Sequence, residues 1–315
     1  MRPLSLIFMG TPEIALPALE ATVSAGHRVL RVYTQPDRPA GRGRKLTRCP
    51  VAQAADHLGL PLSQPRRIKE AEAEIRALGA EACALMAFGQ LLPASILEAF
   101  PLGCINVHTS LLPQLRGASP INQAIVQGLP QTGVTTMYMD QGMDTGDIIQ
   151  QKAIPIGPQE TAGTLAGRLA PLGAEVLVQT LAAVSRGDAP RRPQDDSKAT
   201  YAPLMAKSDG LIDWSKSAPE LDRLVRGLDP WPIAHTVLKG KPLRVYAPTA
   251  LSDQTSPAQP GTLLPAQEGR DDLMWVACGQ GALGLGGVQA AGKKRLPAPD
   301  FLRGTRLEPG VRLGE

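Results

Sequence analysis

In the first part of the chain, short apolar runs alternate with segments whose apolar residues recur at helical spacing. Residues 4–9 predict a buried strand, and residues 29–33 predict a second one. Between them, Thr11 and Pro12 suit the N-cap and the first position of a helix that ends at Gly26. A strand, a helix and a strand of this length form a βαβ unit, so we expect a mainly parallel sheet with a right-handed crossover.

The same alternation continues to about residue 187. It predicts further strands at 82–87, 104–107, 134–139 and 147–154, and further helices at 51–58, 68–78 and 161–184. We therefore expect a first domain over residues 1–187, of the α/β class, with a Rossmann-like and mostly parallel sheet.

The pattern changes after residue 187. Residues 188–207 are polar and contain prolines, which predicts a linker over the surface. Residues 208–315 contain one short helical segment near 221–228 and several short β-like runs separated by turns. This predicts a smaller C-terminal domain, either a β-barrel or a β-sandwich.

Composition limits the class of protein further. The chain has 315 residues, which favours two domains, and its net charge of +4 permits an anionic partner without requiring one. No apolar run approaches the roughly 20 residues of a membrane span. The four cysteines are scattered, without a CxxC pair. We therefore expect free thiols, no metal site and a cytoplasmic location.

Candidate chemistry is concentrated where the strand at 104–107 ends. Asn106 and His108 are two residues apart, so their side chains share one face of that strand. Asp144 lies in a glycine-rich turn further along the chain. An amide, an imidazole and a carboxylate together suit acyl-type transfer. Two alternatives stay open: a structural histidine, and turn-forming or cation-binding roles for Asp140, Asp144 and Asp147.

A basic segment follows the second predicted strand. Residues 35–49 contain five cations and a single acid, Asp37; the cations are Arg38, Arg42, Arg44, Lys45 and Arg48. Its glycines and Pro39 predict an irregular loop at the carboxyl edge of the sheet, where open α/β folds bind ligands. The charge suits a phosphate backbone. The alternative is an ordinary solvated charge run.

Taken together, these segments resemble the folate-dependent formyltransferases. The general resemblance rests on NVHTSLLPQLRG at 106–117 and MDQGMDTGD at 139–147. A closer resemblance, to members that act on a charged tRNA, rests on FMGTPE, TQPDRPAGRGRKL, AFGQLLP, DPWP and AGKK. The resemblance spans nearly the whole chain. Thr109, Leu115 and Ile14 depart from the residues that are common at these positions in the family.

The resemblance implies transfer of a formyl group from 10-formyltetrahydrofolate, the co-substrate, to the α-amino group of methionyl-initiator tRNA, without a metal and in a monomer. It implies catalysis by Asn106, His108 and Asp144. It implies folate binding by Phe88, Gly89, Gln90, Ser110, Leu111, Leu112 and Pro113. It implies tRNA binding by Arg38, Arg42, Arg44, Lys45, Lys207, Lys293 and Lys294. It also implies an OB-like barrel over residues 208–315 that contacts the tRNA.

In these terms Asn106 donates to the oxygen that becomes negative, and a protonated His108 donates to it as well. Asp144 orients His108 or favours its charged form, and accepts the amine proton through a water. Two other functions stay open. One is a folate transferase for a small amine, which has no use for the basic loop and the last hundred residues. The other is a non-enzymatic RNA-binding protein, which leaves the three site residues unexplained.

Overall fold

The computed structural model describes residues 2–40, 45–252 and 257–315. By its internal contacts the chain forms two units. Unit 1 comprises Met1–Pro120, Gln131–Pro155 and Ala166–Ala202, and unit 2 comprises Ile121–Pro130, Ile156–Leu165 and Pro203–Glu315. Each unit is built from separate stretches of the chain. The predicted domain boundaries at residues 187 and 207 stay a prediction.

The described residues contain fourteen strands. They are β1 (Ser5–Gly10), β2 (Arg28–Tyr33), β3 (Arg38–Ala40), β4 (Lys45–Thr47), β5 (Leu62–Ser63), β6 (Ala82–Met86), β7 (Cys104–His108), β8 (Gln131–Tyr138), β9 (Ile148–Pro155), β10 (His235–Leu238), β11 (Lys241–Leu251), β12 (Met274–Ala277), β13 (Ala282–Ala290) and β14 (Leu296–Pro297).

The α-helices of the described residues are α1 (Leu16–Ser24), α2 (Pro50–His57), α3 (Glu72–Ala77), α4 (Ala94–Leu97), α5 (Pro120–Val126), α6 (Ala162–Arg186), α7 (Ala218–Gly227) and α8 (Ala298–Thr305). Short 3₁₀ turns supplement them. Within residues 2–40, 45–252 and 257–315, no helix combines the length and the apolar character needed to cross a membrane.

Unit 1 contains a seven-stranded sheet in the order β5-β2-β1-β6-β7-β8-β9. The first five strands of that order pair in parallel, and β7, β8 and β9 pair antiparallel. Strands β6 and β7 are buried along their whole length, as expected for parallel strands that are covered on both faces. The predicted α/β class with a mostly parallel sheet is confirmed.

The start of the first helix differs from the prediction. A 3₁₀ turn, Glu13–Ala15, precedes α1, and Pro12 rather than Thr11 is its N-cap residue. The Thr11 hydroxyl instead donates to the backbone oxygen of Phe88 at 3.2 Å and accepts from the backbone N–H of Gln35 at 3.1 Å. A tertiary hydrogen bond therefore replaces the local cap, and it joins the segments that follow β1, β2 and β6.

The basic segment is more regular than predicted. Strands β3 and β4 pair antiparallel, with Pro39 opposite Leu46. Proline lacks the N–H that would donate to a second neighbour, and it is tolerated at a sheet edge such as this two-stranded one. The prediction of an irregular loop is therefore wrong for the two strands of the segment, β3 and β4.

Unit 2 contains an antiparallel sheet in the order β10-β11-β13-β12, with β14 paired to β13. Its core includes Trp214, Leu221 and Val276, each buried. At the start of α7, the backbone N–H and the hydroxyl of Ser217 both donate to the carboxylate of Glu220, at 3.0 and 2.5 Å. Among the described residues no strand pairing closes this sheet into a barrel, and the small C-terminal β domain is confirmed in this open form.

Candidate active site

The carboxyl ends of β1, β2, β6 and β7 meet at one edge of the parallel part of the sheet, because these strands run in the same direction. His108 is the last residue of β7, and Phe88 follows β6. The hydrogen bonds of Thr11 draw the segments after β1, β2 and β6 together. This edge is where open α/β folds bind ligands.

His108 is buried and has a defined partner on one ring nitrogen. Its Nε2 lies 3.0 Å from the backbone oxygen of Leu115. A carbonyl oxygen only accepts hydrogen bonds, so Nε2 carries a proton and donates it. The other nitrogen, Nδ1, therefore remains the one available to a reacting group. Leu115 itself has a left-handed backbone, with φ of 59°.

Asp144 lies on the Nδ1 side of this ring. Its Oδ2 is 3.7 Å from His108 Nδ1, which is too long for a direct hydrogen bond but close enough for a charge interaction. The same oxygen accepts from the backbone N–H of Gly117 at 2.8 Å. The structure therefore brings the predicted imidazole and carboxylate together, although they are 36 positions apart in the sequence.

Asn106 precedes His108 by two residues on β7, so the two side chains leave the same face of the strand. Its side chain is buried, with 7% of its surface exposed. Its Oδ1 has no hydrogen-bond partner among the described residues. A buried amide oxygen without a partner costs free energy, and such groups in native proteins call for an explanation. A bound ligand that donates a hydrogen bond to Oδ1 would be such an explanation.

The other two aspartates of this turn have structural partners. Asp140 accepts from the backbone N–H of Gly142 and from the hydroxyl of Thr145, which is the pattern of a turn former. Asp147 Oδ2 lies 3.9 Å from Arg191 Nη1, which makes a long ion pair. Within the described ranges, no group of three or more histidines, cysteines, aspartates and glutamates is arranged to hold a metal ion.

The loop after His108, which the resemblance assigns to folate, is held by polar contacts. Ser110 is fully buried and donates its hydroxyl to the backbone oxygen of Gln114 at 2.6 Å. Thr135 on β8 donates to the Ser110 backbone oxygen at 2.7 Å and accepts from the Leu112 N–H at 3.1 Å. Leu112 is buried, whereas Leu111 and Pro113 are half-buried. Ser110 therefore shapes the loop with its hydroxyl already engaged.

The second predicted folate segment lies beside two cavities of unit 1. One, of about 470 Å³, is lined by Thr11, Arg38, Cys49, Phe88 and Gly89 among others. The other, of about 500 Å³, is lined by Arg67, Lys69, Gln90, Leu91 and Gln141 among others. Gln90 accepts from the Ile68 N–H at 2.7 Å. Asn106, His108 and Asp144 line neither cavity.

The predicted tRNA-binding residues are dispersed. Arg42 and Arg44 lie outside the described residues, and for Lys45 only the backbone, in β4, is described. Arg38 is exposed, as is Lys207 in unit 2. Lys293 and Lys294 are exposed in the turn between β13 and β14. Next to them, Arg295 stacks on the ring of Tyr246, 3.9 Å from its centroid.

Sequence reasoning does not assign the contacts that hold His108 and Asp144. The groups that bond them are a backbone carbonyl at Leu115 and a backbone N–H at Gly117. Every residue except proline offers both groups, so no residue type reveals them. The one available signal is Gly117, whose φ of 117° suits a glycine.

Two family profiles match this chain. The profile described as formyl transferase matches residues 4–181, and the profile described as formyl transferase, C-terminal domain, matches residues 204–306. Together they cover most of the sequence. The fold, the buried Asn106 amide and His108 imidazole, and the half-buried Asp144 carboxylate suit this class. The chain belongs to the formyl transferase family.

Curated relatives narrow the class. The chain is 47% identical over 316 residues to the methionyl-tRNA formyltransferase of Geobacter metallireducens, with both chains covered completely. It is 48% identical over 309 residues to the methionyl-tRNA formyltransferase of Desulfotalea psychrophila, covering 97% of this chain and 94% of the relative. Relatives of this name therefore match along all or nearly all of their length.

Solved structures share the fold at low identity. HypX from Aquifex aeolicus in complex with tetrahydrofolic acid superposes with a TM-score of 0.66 at 15% identity, over 96% of this chain and 47% of HypX. An N-formyltransferase from Helicobacter canadensis, in complex with folinic acid and dTDP-3-aminofucose, superposes with a TM-score of 0.66 at 16% identity. The superposition covers 92% of this chain and all of the Helicobacter chain.

Proposed function

We propose that this formyltransferase moves a formyl group from 10-formyltetrahydrofolate to the α-amino group of methionine on initiator tRNA, in the cytoplasm and without a metal. The observation that carries the chemistry is the buried Asn106 amide, whose oxygen has no partner among the described residues. It lies on the same strand face as His108, whose ring is 3.7 Å from the Asp144 carboxylate. The full-length identity to methionyl-tRNA formyltransferases supports the choice of acceptor.

The reaction exchanges one C–N bond for another. The neutral amine attacks the formyl carbon, and the formyl oxygen becomes negative in the tetrahedral intermediate. The bond from that carbon to N10 of the folate then breaks. The amine loses one proton and N10 gains one, so the overall reaction is balanced. A protein that accelerates it needs a donor for the oxygen and a route for the proton.

Asn106 can serve both partners in the attack. Its Nδ2 donates to the developing oxyanion, and its unpartnered Oδ1 accepts from an N–H of the attacking amine. One side chain would then align nucleophile and electrophile. Such alignment lowers the entropic part of the barrier. Loss of one oxyanion donor typically costs about 10²–10³ in rate.

His108 and Asp144 supply the proton route. Because Nε2 is committed to the Leu115 carbonyl, exchange with the reaction takes place at Nδ1, which lies toward Asp144. The carboxylate, 3.7 Å away, stabilises positive charge on the ring and accepts the amine proton through a bridging water. Such acid–base assistance contributes about 10²–10⁴ in rate.

The same proposal assigns the binding residues. The folate is bound by the loop at 110–113 and by the segment at 88–90. The acceptor stem of the tRNA is contacted by the basic residues: Arg38, Arg42, Arg44, Lys45, Lys207, Lys293 and Lys294. The exposure of Arg38, Lys207, Lys293 and Lys294 supports this assignment, because phosphate contacts require accessible cations.

The test is a formylation assay with 10-formyltetrahydrofolate and either methionyl-initiator or methionyl-elongator tRNA. We expect formyl-methionine on the initiator and little on the elongator. Equal use of both would remove the proposed specificity. No product with either tRNA, together with formylation of a small amine, would overturn the tRNA assignment and keep the class.

Conservative variants test the site. Asn106→Asp and His108→Gln should each lower kcat by at least about 100-fold while the tRNA still binds in a gel-shift measurement. A matched control is His57→Gln, at an exposed position in the last turn of α2, which should keep normal turnover. Near-normal turnover by either site variant would show that its assigned role is wrong.

A further inference from the structure

The sequence predicts that residues 194–200 are part of a linker, but their contacts connect them to the site. It runs beside the loop at 113–119, and the two stretches share backbone hydrogen bonds. Arg116 N–H donates to the Thr200 oxygen at 2.9 Å, and Ala202 N–H donates to the Arg116 oxygen at 2.7 Å. All of these residues belong to unit 1.

Gln194 uses its whole amide in this arrangement. Its Nε2 donates to the backbone oxygens of Asp144 and Gly146, each at 2.8 Å. Its Oε1 accepts from the guanidinium of Arg116 at 2.9 and 3.2 Å. Arg116 is itself buried, with 2% of its surface exposed, and also donates to Asp196 at 2.7 Å. The turn that carries Asp144 is thus fastened to a buried cation through one side chain.

Thr200 acts on the other support of the imidazole. Its hydroxyl oxygen accepts from the backbone N–H of Leu115 at 2.9 Å. The carbonyl of Leu115 is the group that receives the proton of His108 Nε2. Thr200 therefore holds Leu115 through its N–H, and the carbonyl of the same residue orients the His108 ring.

Leu115 and Asp144 share an unusual backbone. Their φ values are 59° and 56°, in the left-handed region that residues other than glycine seldom adopt. Such conformations persist where the surroundings hold them, and they concentrate at functional sites. Here one short segment bonds both residues, and both residues contact His108.

We propose that Gln194 and Thr200 are positioning residues for formyl transfer, which set Asp144 and Leu115 and thereby the orientation of His108. The inference rests on the proposed function for its catalytic consequence. Neither residue contacts a reacting atom in this scheme; each acts through a group that bonds or faces His108. The effect belongs in kcat rather than in KM, because only the orientation of the acid–base pair changes.

Gln194→Glu changes one end of the side-chain amide and preserves the other. It keeps an oxygen for Arg116 and replaces the donor to Asp144 and Gly146 with a second acceptor. We expect kcat to fall about 10- to 100-fold, since misplacing a catalytic group by about 1 Å can cost 10². The KM values for folate and tRNA should stay within about twofold. Gln179→Glu, the same change on the exposed face of α6, is the control and should keep normal kcat.

A second pair of variants tests the hydroxyl. Thr200→Val removes the acceptor for the Leu115 N–H, and Thr200→Ser restores it. We expect the valine variant to lose about 10-fold in kcat and the serine variant to recover most of it. Loss in both variants, or in neither, would contradict the role of the hydroxyl. This pair also carries the proposal if Gln194→Glu does not fold.

The pathway of the effect is measured by a double-mutant cycle. If Gln194 acts through Asp144, Gln194→Glu should cost little further in an Asp144→Asn background, because residues that act as a unit are non-additive. Fully additive losses, with the same drop in thermal stability, would mean that Gln194 only supports the fold, and would overturn the proposal.

Amide exchange supplies a readout that does not depend on activity. The Gly117 N–H donates to Asp144, so in Gln194→Glu its exchange should accelerate about 10-fold while that of the β7 amides stays unchanged. Unchanged protection at Gly117 would refute the positioning role whatever the enzyme does. An inactive wild-type protein with accelerated Gly117 exchange in the variant would refute the proposed function and leave the positioning of Asp144 standing.

Discussion

At the scale of single residues, the site depends on backbone groups as much as on side chains. His108 and Asp144 are each held by a peptide group, from Leu115 and from Gly117. The side chains set the chemistry, and the peptide groups set its geometry. A substitution at Gly117 should therefore affect activity although its side chain is only a hydrogen atom.

Gly117→Ala should lower both stability and activity. A methyl group there would lie 2.6 Å from the backbone oxygen of Ala202, and φ of 117° is strained for alanine. We expect unfolding free energy to fall by about 2 kcal/mol and kcat to fall as the N–H shifts away from Asp144. Urea unfolding and formylation rates measure the two effects.

Gly167→Ala is the control for that change. Gly167 is exposed within α6, and a methyl group there has open space around it. Alanine in a helix interior is more stable than glycine by roughly 0.5–1 kcal/mol, so this variant should gain stability at normal activity. A Gly117→Ala enzyme that behaved like Gly167→Ala would show that the close approach is unimportant.

The cysteines also differ residue by residue. All four are free, and Cys83, Cys104 and Cys278 are buried while Cys49 is partly exposed. Burial raises the pKa of the Cys278 thiol to about 12 and raises that of Cys83 as well. We expect a thiol reagent at pH 8 to modify one cysteine in the native protein and four in denaturant. Cys49→Ser should abolish the native reaction; two or more native equivalents would contradict the burial.

At the scale of elements, strand periodicity and strand order do most of the positioning. The alternation along β7 puts Asn106 and His108 on one face, and pairing with β8 brings Thr135 opposite His108. Thr135 then fixes the loop that follows His108. The end of one strand and the loop after it are thus held by the neighbouring strand.

The first strand has an anchor that should respond to pH. His27 is buried between α1 and β2, and its Nδ1 accepts from the Leu4 N–H at 3.1 Å, next to β1. Burial lowers the pKa of His27. The unfolded chain therefore binds this proton at higher pH than the folded one. The contribution of His27 to stability is present above about pH 6.5 and is lost as pH falls through its folded pKa.

His27→Asn tests this dependence, because the Asn oxygen can accept the same hydrogen bond without titrating. Unfolding free energies measured between pH 7.5 and 5 should fall less steeply in the variant than in the wild type. Equal slopes would show that His27 does not contribute to the pH dependence.

At the scale of the whole molecule, the two units do not follow the order of the chain. Unit 1 extends to Ala202 and unit 2 includes residues 121–130 and 156–165. A truncation after residue 187, which the sequence suggests as a test of the C-terminal region, would also remove Gln194 and Thr200 from unit 1. Point substitutions in the basic residues are the sharper test of tRNA binding.

Salt dependence is the corresponding prediction. The whole chain has 33 basic and 29 acidic residues, so attraction to tRNA depends on local clusters rather than on a large net charge. Activity on tRNA should fall as salt rises. Arg42→Ala or Lys293→Ala should weaken binding and reduce the slope of log K against log salt by about 1. Lys152→Ala, which removes an ion pair with Glu175, should leave the slope unchanged. A slope unaltered by Arg42→Ala and Lys293→Ala would remove both from the interface.

The sequence by itself determined the mostly parallel sheet, the small C-terminal β domain and the residue types of the site. Apolar periodicity is a local property, and it reflects which face of each element is buried. The position of Asn106 and His108 on one face of β7 is also a local property, because residues two apart on a strand share a face.

Only the tertiary structure decided what lies opposite those side chains. Asp144 reaches His108 from another loop, and Gln194 and Thr200 reach their partners from a stretch that looks like a linker. Polarity and prolines in that stretch are typical of a path over the surface, but they do not show which backbone groups it passes. Every residue except proline offers the same backbone N–H and C=O groups, so the residue type does not reveal which of them accept or donate a hydrogen bond. These bonds become visible only once the chain is folded.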